Sequence, residues 1–146
     1  MKVAKFGGTS LATAAQIMKV IEIAKADPER RIIVVSAPGK RSKEDIKVTD
    51  LLIQCAEQVL ARGRADKELK AIVDRFAAIQ QELGLNPAII KEIENDLRQR
   101  LALDRSHRDA FIDCLKAAGE DNNAKLVAEA FRKQGLDGRY LSPRDA

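Results

Sequence analysis

Aromatic residues and long apolar segments are scarce in this chain. Only 3% of its 146 residues are aromatic and none is Trp, so the sequence lacks the stacking platforms of proteins that bind single-stranded nucleic acid. No segment approaches the roughly 20 consecutive apolar residues that a membrane-spanning helix needs. The first residues run into a predicted strand rather than a signal peptide. We therefore expect a cytoplasmic protein with no membrane partner.

Cysteine and histidine are also rare. The two cysteines, Cys55 and Cys114, lie in separate helical patterns, without a CxxC motif and without a histidine at ligand spacing. This arrangement disfavours a disulfide framework and a zinc site, so we predict two buried thiols and no metal-ligating residues. His107 is the only histidine. It falls in the predicted first turn of a helix between two arginines, and we expect it on the surface.

The charge balance is basic, with a net charge of +4 and a pI of 9.2. The 26 basic residues are interleaved with 22 acidic ones, which is typical of solvated helix faces. We therefore predict no nucleic-acid partner. A noncatalytic helical interaction or nucleic-acid-binding module stays open as an alternative, because residues 40–47 form a basic loop. Hydrophobic residues make up 45% of the chain, enough for the core of one helix-rich domain.

The amino-terminal quarter predicts a strand, a helix and a second strand. Residues 1–6 alternate loosely and end at a Gly-Gly pair, after which apolar residues recur at helical spacing over residues 11–24. Residues 32–35 form a short β-branched run, typical of a strand buried on both faces. Two strands joined in this way pair in parallel, and ligands bind beyond their carboxyl ends. Lys5 and Ser36 both fall there.

The middle of the chain predicts a loop and three helices. Residues 40–45 are polar and basic and follow a Pro-Gly turn signal, so they predict an exposed loop. Thr49 is placed to cap a helix that stops at Gly63. Apolar residues at helical spacing then mark helices over residues 69–83 and 87–101.

The carboxyl-terminal third predicts a helix pair. Ser106 and Asp109 have the spacing of a capping box ahead of an apolar helical pattern. Gly119 breaks that pattern, so two helices are expected to meet at Gly119 and Glu120. Residues 139–141 weakly predict a third strand.

The Gly-Gly pair is the first candidate for chemistry. Gly7 and Gly8 let backbone amides approach an anion without a Cβ in the way, and a following helix adds positive potential. Lys5 adds a full cation, and Thr9 and Ser10 can cap the helix or bind phosphate. The spacing matches neither the P-loop nor the dinucleotide fingerprint. From spacing alone, a plain βα turn with Ser10 as the helix cap and Lys5 in solvent stays open.

A six-residue motif after the first strand resembles the opening motif of aspartate kinases. The six residues are Lys5, Phe6, Gly7, Gly8, Thr9 and Ser10. The resemblance implies that all six bind the phosphates of ATP and that Lys5 is catalytic.

Three further positions follow in the order that this family shows. They are Ser36 after a Val-Val pair, Thr49 before an aspartate, and Glu120 after a glycine. The resemblance implies that they bind L-aspartate, with Glu120 facing its ammonium group. The segment between Ser36 and Thr49 is longer and more basic than in many family members. The GEDNNAK stretch around Glu120 is similar to a bacterial subgroup.

The resemblance also implies a fold and its extent. We expect an α/β fold, namely a partial three-layer α/β/α sandwich of the amino acid kinase type that is helix-rich with a mainly parallel sheet. Residues 1–146 would form the amino-terminal portion of the catalytic domain. The nucleotide-binding half and the regulatory domains would lie beyond Ala146.

The implied reaction transfers the γ-phosphoryl group of MgATP to the side-chain carboxylate of L-aspartate. The product would be 4-phospho-L-aspartate, on the way to lysine, threonine and methionine. The acceptor is already ionised because its pKa is about 4, so no general base is needed. We expect this chain alone to lack turnover and to self-associate as a homo-oligomer through an uncovered sheet edge. Another kinase of the same superfamily stays open as an alternative.

Overall fold

The computed structural model describes residues 1–144, and the last two residues of the predicted catalytic portion lie outside the described residues. Two strands and five α-helices follow in the order β1 (Lys2–Phe6), α1 (Ala14–Ala26), β2 (Arg30–Val35), α2 (Val48–Arg62), α3 (Asp66–Leu83), α4 (Ala88–Leu101) and α5 (Arg108–Lys133). A short 3-10 turn, Gly8–Leu11, lies between β1 and α1. The helix-rich α/β prediction is confirmed.

The two strands pair in parallel and are connected by α1, as the amino-terminal pattern predicted. Their alternating side chains divide between two faces of the sheet. One face carries Phe6 and Val35, which pack onto the helical core. The other carries Val3, Ile32 and Val34, which are 61%, 42% and 42% exposed. The prediction of a second strand buried on both faces is therefore wrong for the described residues, because helices cover only one face.

Helices α2 to α5 form the core that supports the sheet. Their apolar stripes face one another, so side chains such as Leu52, Ile72 and Leu115 are fully buried. Gly63 and Gly84 end α2 and α3 in the left-handed conformation, with φ of 81° and 66°, which glycine adopts without a steric penalty. Both predicted helix ends are confirmed.

Helix α5 runs without interruption through Gly119, so the predicted helix pair is wrong. A Cβ at this position would lie 2.7 Å from Ala37 Cβ and 3.0 Å from Leu52 Cδ1. The glycine therefore permits close packing of α5 on its neighbours, and this packing outweighs the cost of about 1 kcal/mol of a glycine in a helix. Glu120 lies in the middle of α5 rather than at a helix start.

Three predicted helix starts differ from the structure. Helix α1 is capped by Thr13, whose side chain accepts from Gln16 N–H, so Ser10 is not its cap. Lys47 occupies the N-cap of α2, which places Thr49 inside the first turn. His107 is the N-cap of α5 and is exposed, as expected for a surface histidine. In each case the apolar periodicity located the helix but not its first residue, because several polar side chains compete as caps.

The Ser106 capping box is absent as well. The Ser106 hydroxyl and backbone N–H both bond to the Asp104 carboxylate. The predicted third strand is also wrong, because residues 139–141 form no strand and the described sheet has two strands. Within residues 1–144, no helix has the length and apolar character needed to cross a membrane.

Tyr140 folds back onto α5 instead of joining the sheet. Its hydroxyl donates to the Asp121 carboxylate, which also forms an ion pair with Arg100. Burial, together with this hydrogen bond, raises the pKa of Tyr140 to about 12. Because the folded pKa lies above the unfolded value of about 10, this contact stabilises the protein below pH 10 and is lost between pH 10 and 12.

We predict that Tyr140, the only tyrosine of the chain, titrates with a midpoint near 12. Ultraviolet difference absorbance measures tyrosinate directly, and the chain has no Trp to interfere. Asp121→Asn removes the negative charge and should move the midpoint back toward about 10. A native-state midpoint near 10 in the original chain would contradict the contact.

The two cysteines differ in environment. Cys55 is fully buried in the core, and burial raises the pKa of its thiol to about 11. Cys114 is only partly buried. The prediction of two buried thiols is therefore confirmed for Cys55 and wrong for Cys114.

Candidate functional site

A cavity of about 260 Å³ opens at the carboxyl ends of the two strands. Four of the predicted site residues line it, namely Gly8, Ser36, Thr49 and Glu120. They come from four separate elements, which are the turn after β1, the end of β2, the first turn of α2 and the middle of α5. The fold thus assembles residues that are up to 112 positions apart in the sequence. This cavity is the candidate active site.

Gly8 and Gly39 bring two backbone segments into contact, and these segments form the floor of the cavity. The Gly39 N–H donates to the Gly8 carbonyl at 2.8 Å. A Cβ on Gly39 would lie 2.5 Å from the Gly8 carbonyl carbon and 2.8 Å from Thr9 N. These distances leave no room for a side chain, so the two backbone segments touch only because residue 39 is glycine. In the sequence, Gly39 is visible only as part of a Pro-Gly turn signal.

The other motif residues lie beside this cavity. Lys5, at the end of β1, points to the uncovered face of the sheet and has no ion-pair partner among the described residues. Phe6 packs on the core, while Gly7 and Thr9 are exposed. None of these residues, nor Ser10, lines the cavity. The motif therefore presents a free ammonium group next to the cavity rather than inside it.

The helix dipole contributes less here than the sequence predicted. The turn at Gly8–Leu11 is one turn of 3-10 helix, and α1 begins only at Ala14. The first N–H groups of a helical turn have no acceptor within it, which leaves the amides of Gly8 and Thr9 for an anion. An anion at this turn would therefore be held by local amides and the Lys5 charge.

Thr49 and Glu120 line the cavity from two packed helices, α2 and α5. Thr49 is partly buried in the first turn of α2. Glu120 is exposed on α5 and forms no ion pair with another described residue. The lining of the cavity thus includes the Glu120 carboxylate and the side chains of Thr49 and Ser36, whose hydroxyl groups can donate to and accept from a polar ligand.

Asn123 connects α5 to the end of β2. Its side chain is fully buried and donates to the Ser36 carbonyl at 2.7 Å. Its Oδ1 atom has no partner among the described residues. Asn123 lies one turn after Glu120 on the same helix. Helix α5 therefore carries the Glu120 carboxylate and also holds the backbone of Ser36, another lining residue, in place. This contact was not predicted from the sequence, where Asn123 is only one residue of the stretch around Glu120.

Arg75, on α3, anchors the loop that borders the cavity. Its guanidinium is 6% exposed and donates to the carbonyls of Gly39 and Ile46, at 2.7 and 2.6 Å. Asp45 lies 3.5 Å from it and accepts three hydrogen bonds from Arg41, two from the guanidinium and one from the backbone N–H. The Arg41 bonds hold the pKa of Asp45 well below its usual range. The predicted exposed loop is therefore polar but fixed at both ends.

We predict that Arg75→Met lowers the free energy of unfolding by about 3 kcal/mol, because the buried Gly39 carbonyl and the partly buried Ile46 carbonyl lose their donor, at roughly 1–3 kcal/mol for a buried group. Arg75→Lys should recover part of this loss, since an ammonium can reach one of them. Chemical denaturation followed by circular dichroism measures the change. Arg64→Met is the matched control, with an exposed ion pair and an expected change below about 0.5 kcal/mol. Equal losses in Arg75→Met and Arg64→Met would contradict the anchor.

The described residues do not offer a metal site. Among residues 1–144 no three His, Cys, Asp or Glu side chains are grouped so that they could hold a metal ion. A second, larger cavity of about 390 Å³ lies under the Arg75-anchored loop and is lined by residues such as Arg41, Asp45 and Leu51. It contains none of the predicted site residues, so it does not compete with the cavity at the strand ends.

Comparisons with known proteins point to one family. The sequence model of the amino acid kinase family matches residues 1–146. The chain is 53% identical over 146 residues to aspartokinase 3 of Bacillus subtilis, covering all of this chain and 32% of that protein. It is 28% identical to a chloroplastic bifunctional aspartokinase/homoserine dehydrogenase of Arabidopsis thaliana, over 97% of this chain and 16% of that one.

Solved structures give the same result. The aspartate kinase of Clostridium acetobutylicum matches with a TM-score of 0.74 and 31% identity, over 89% of this chain and 29% of that chain. Aspartokinase III of Escherichia coli, in complex with aspartate and ADP, matches with a TM-score of 0.72 and 30% identity. The match covers 90% of this chain and 29% of that chain. The chain therefore spans about a third or less of the length of the relatives that it matches.

Proposed function

This chain belongs to the amino acid kinase family, and on that premise we propose that it is the amino-terminal portion, residues 1–146, of the catalytic domain of an aspartate kinase. One observation carries the proposal. Gly8, Ser36, Thr49 and Glu120, chosen by motif, line a single cavity, and Lys5 is the penultimate residue of β1, the strand that leads to Gly8. The 53% identity to an aspartokinase over the whole chain supports the same activity.

The phosphate end of the site is the turn after β1. Lys5 supplies a full positive charge, and Gly7 and Gly8 let the backbone approach the ATP phosphates. Thr9 and Ser10 add hydroxyl groups, and Phe6 holds the turn against the core. The ADP bound in the Escherichia coli relative supports a nucleotide ligand. Lys5 is the catalytic residue in this proposal, because it neutralises charge on the transferred phosphoryl group.

The amino-acid end of the site is the wall formed by α2 and α5. Glu120 is an unpaired carboxylate suited to the ammonium group of L-aspartate, and Thr49 and Ser36 offer hydroxyl groups to its carboxylates. The aspartate bound in the Escherichia coli relative supports this substrate. The cavity is small, about 260 Å³, which suits a small polar amino acid rather than a peptide.

The reaction needs alignment and charge neutralisation more than acid-base chemistry. The side-chain carboxylate of aspartate is ionised at neutral pH and attacks the γ-phosphorus without losing a proton. The protein therefore has to hold two anions close together, which Lys5 and the backbone amides make less unfavourable. Mg²⁺ would accompany ATP, but the described residues supply no cluster of ligands for it, and we assign it no step here.

The remaining parts of the proposal concern the larger protein. We propose a cytoplasmic enzyme that forms homo-oligomers and has no membrane or nucleic-acid partner. Its product, 4-phospho-L-aspartate, would lead toward lysine, threonine and methionine. The uncovered sheet face with Val3, Ile32 and Val34 supports contact with further protein surface, because such apolar patches are seldom left in water.

The test is an assay of the full-length protein with MgATP and L-aspartate. Hydroxylamine traps the acyl phosphate as a hydroxamate, which separates carboxylate phosphorylation from simple ATP hydrolysis. We expect hydroxamate formation with L-aspartate and at least tenfold less with L-glutamate. The 146-residue chain alone should give none. Turnover with another acid but not with aspartate would favour another activity of the same family, and robust turnover by the isolated chain would contradict an incomplete site.

A further inference from the structure

The strand-end segment, residues 36–39, follows β2 and borders the whole candidate site. All four of its residues line the cavity. At its start, the Ser36 N–H donates to the Phe6 carbonyl at 3.2 Å and continues the pairing of the two strands. At its end, the Gly39 N–H donates to the Gly8 carbonyl at 2.8 Å. The position of this segment therefore sets the position of the turn after β1 relative to the rest of the cavity.

Helix α5 holds the strand-end segment at two points that are one helical turn apart. Gly119 permits the first contact, because a Cβ at this position would lie 2.7 Å from the Ala37 Cβ. Four residues later, Asn123 Nδ2 donates to the Ser36 carbonyl at 2.7 Å. Residues at i and i+4 lie on one face of a helix, so a close packing contact and a hydrogen bond together fix the segment against α5. Glu120 lies between them, and the same two contacts set its distance from the segment.

The Asn123 side chain is fully buried, yet its two polar atoms are unequally satisfied. Nδ2 bonds to the Ser36 carbonyl, whereas Oδ1 has no partner among the described residues. A buried acceptor without a partner destabilises the fold and offsets what the hydrogen bond contributes. The amide group therefore adds little net stability. What it does provide is a fixed position for the Ser36 carbonyl.

Asn122 gives a comparison within the same helix. It is also fully buried, and its Oδ1 also lacks a partner among residues 1–144. Its Nδ2, however, donates to the Asp96 carboxylate on α4 and to the Ala118 carbonyl, at 2.7 and 2.9 Å. Neither Asn122 nor these partners line the cavity. Two neighbouring asparagines of equal burial thus make different contacts, and that of Asn123 alone leads to the candidate site.

We propose that Asn123 is a positioning residue, which holds the strand-end segment so that the turn after β1 and the wall formed by α2 and α5 stay aligned for phosphoryl transfer. This inference rests on the proposed function. Asn123 does not line the cavity, so it acts through the Ser36 backbone rather than on a ligand.

Alignment matters more to turnover than to binding in this reaction. The attacking oxygen and the phosphorus have to meet in line, and a displacement of about 1 Å can lower the rate by about 10²-fold. Each substrate is held by its own side of the cavity, so a small shift of one side leaves both affinities nearly intact. Loss of the Asn123 amide should therefore lower kcat and change neither KM by much.

The experiment compares Asn123→Leu, Asn123→Gln and Asn122→Leu in the full-length enzyme. Leucine has the branching of asparagine but no donor, so Asn123→Leu should lower kcat by about 10- to 100-fold, with the KM values for L-aspartate and ATP within about threefold of the wild type. Asn123→Gln keeps an amide donor and should recover part of kcat. Asn122→Leu is the matched control, because Asp96 keeps its ion pair with Arg100, and its kcat should stay close to that of the wild type.

Hydrogen exchange of the full-length enzyme, followed by mass spectrometry, reads the same contact without turnover. In Asn123→Leu the Ser36 and Gly39 amides should exchange about tenfold faster than in the wild type, because loss of one hydrogen bond lowers the local free energy of opening. In Asn122→Leu the amides of these two residues should keep their wild-type rates.

Four results would overturn the positioning role of Asn123 and leave the proposed function standing. They are unchanged exchange of the strand-end segment in Asn123→Leu, equal losses of kcat in Asn123→Leu and Asn122→Leu, a raised KM for aspartate with unchanged kcat, and failure of Asn123→Leu to fold, which would make the contact a structural one. A wild type that does not phosphorylate aspartate overturns the proposed function and with it the role of Asn123 in turnover, whatever the exchange rates.

Discussion

Lys5→Met in the full-length enzyme is expected to reduce kcat for aspartate phosphorylation by about 10² to 10³-fold, the range seen when one preorganised electrostatic donor is removed. Lys5 is the penultimate residue of β1 and has no ion-pair partner among the described residues, so in the proposed mechanism its charge is free for the phosphoryl group. The KM for aspartate should change little, because the substrate wall is formed by other elements.

The fold should survive this substitution. Lys5 is exposed and its neighbours on that sheet face are the exposed Val3 and Val34, so Met removes no packed group. Lys2→Met is the control at the other end of the same strand, where the ammonium pairs with Asp27 at 2.6 Å. It should leave kcat within about twofold, with thermal unfolding measured alongside. Near-normal kcat in Lys5→Met would exclude Lys5 from the mechanism.

The elements fixed by local chemistry were predictable from the sequence. The strand, helix and strand at the amino terminus follow from an apolar run, a Gly-Gly pair and a helical repeat, all of which act over a few residues. Gly63 and Gly84 end their helices for the same kind of reason, since each adopts a backbone conformation that other residues avoid. The convergence of Ser36 with the Gly8 turn also follows, because parallel strands end at one edge.

The elements fixed by tertiary contact were not predictable. Gly119 was interpreted as a helix break, although its role is to let α5 approach Ala37 and Leu52, which no local pattern reveals. Residues 139–141 had strand-like composition, but Tyr140 bonds to Asp121 on α5 instead. The uncovered sheet face was missed because a β-branched run indicates a strand without indicating what covers it.

The site was predicted unevenly for a related reason. The shared motifs point to Glu120 and Thr49 but not to Asn123, whose buried side chain donates to the Ser36 carbonyl. The only signal for Asn123 in the sequence is its spacing of about one helical turn from Glu120. The role of Arg75 has no sequence signal, because its two carbonyl partners lie 36 and 29 residues away.

Gly39→Ala is expected to be the most damaging single-methyl change at the cavity. The added Cβ would lie 2.5 Å from the Gly8 carbonyl carbon and 2.7 Å from its oxygen, both of which are backbone atoms that cannot rotate away. The Gly39 to Gly8 hydrogen bond of 2.8 Å must therefore lengthen or break. We expect a loss of about 1–3 kcal/mol in the free energy of unfolding and a fall in kcat/KM of at least tenfold.

Gly7→Ala separates the loss of stability from the loss of turnover, because a Cβ at Gly7 would meet nothing within 4 Å. Its free energy of unfolding should match the wild type within about 0.5 kcal/mol, while any loss of turnover would report the approach of phosphate to the Gly7 backbone. Chemical denaturation measures the free energy of unfolding of both variants, and steady-state kinetics measures their turnover. If Gly39→Ala were as stable and active as wild type, contact between the Gly8 turn and the Gly39 loop would not shape the site. If it were unstable while Gly7→Ala kept its fold, that contact, rather than the glycine composition of the motif, builds the floor of the cavity.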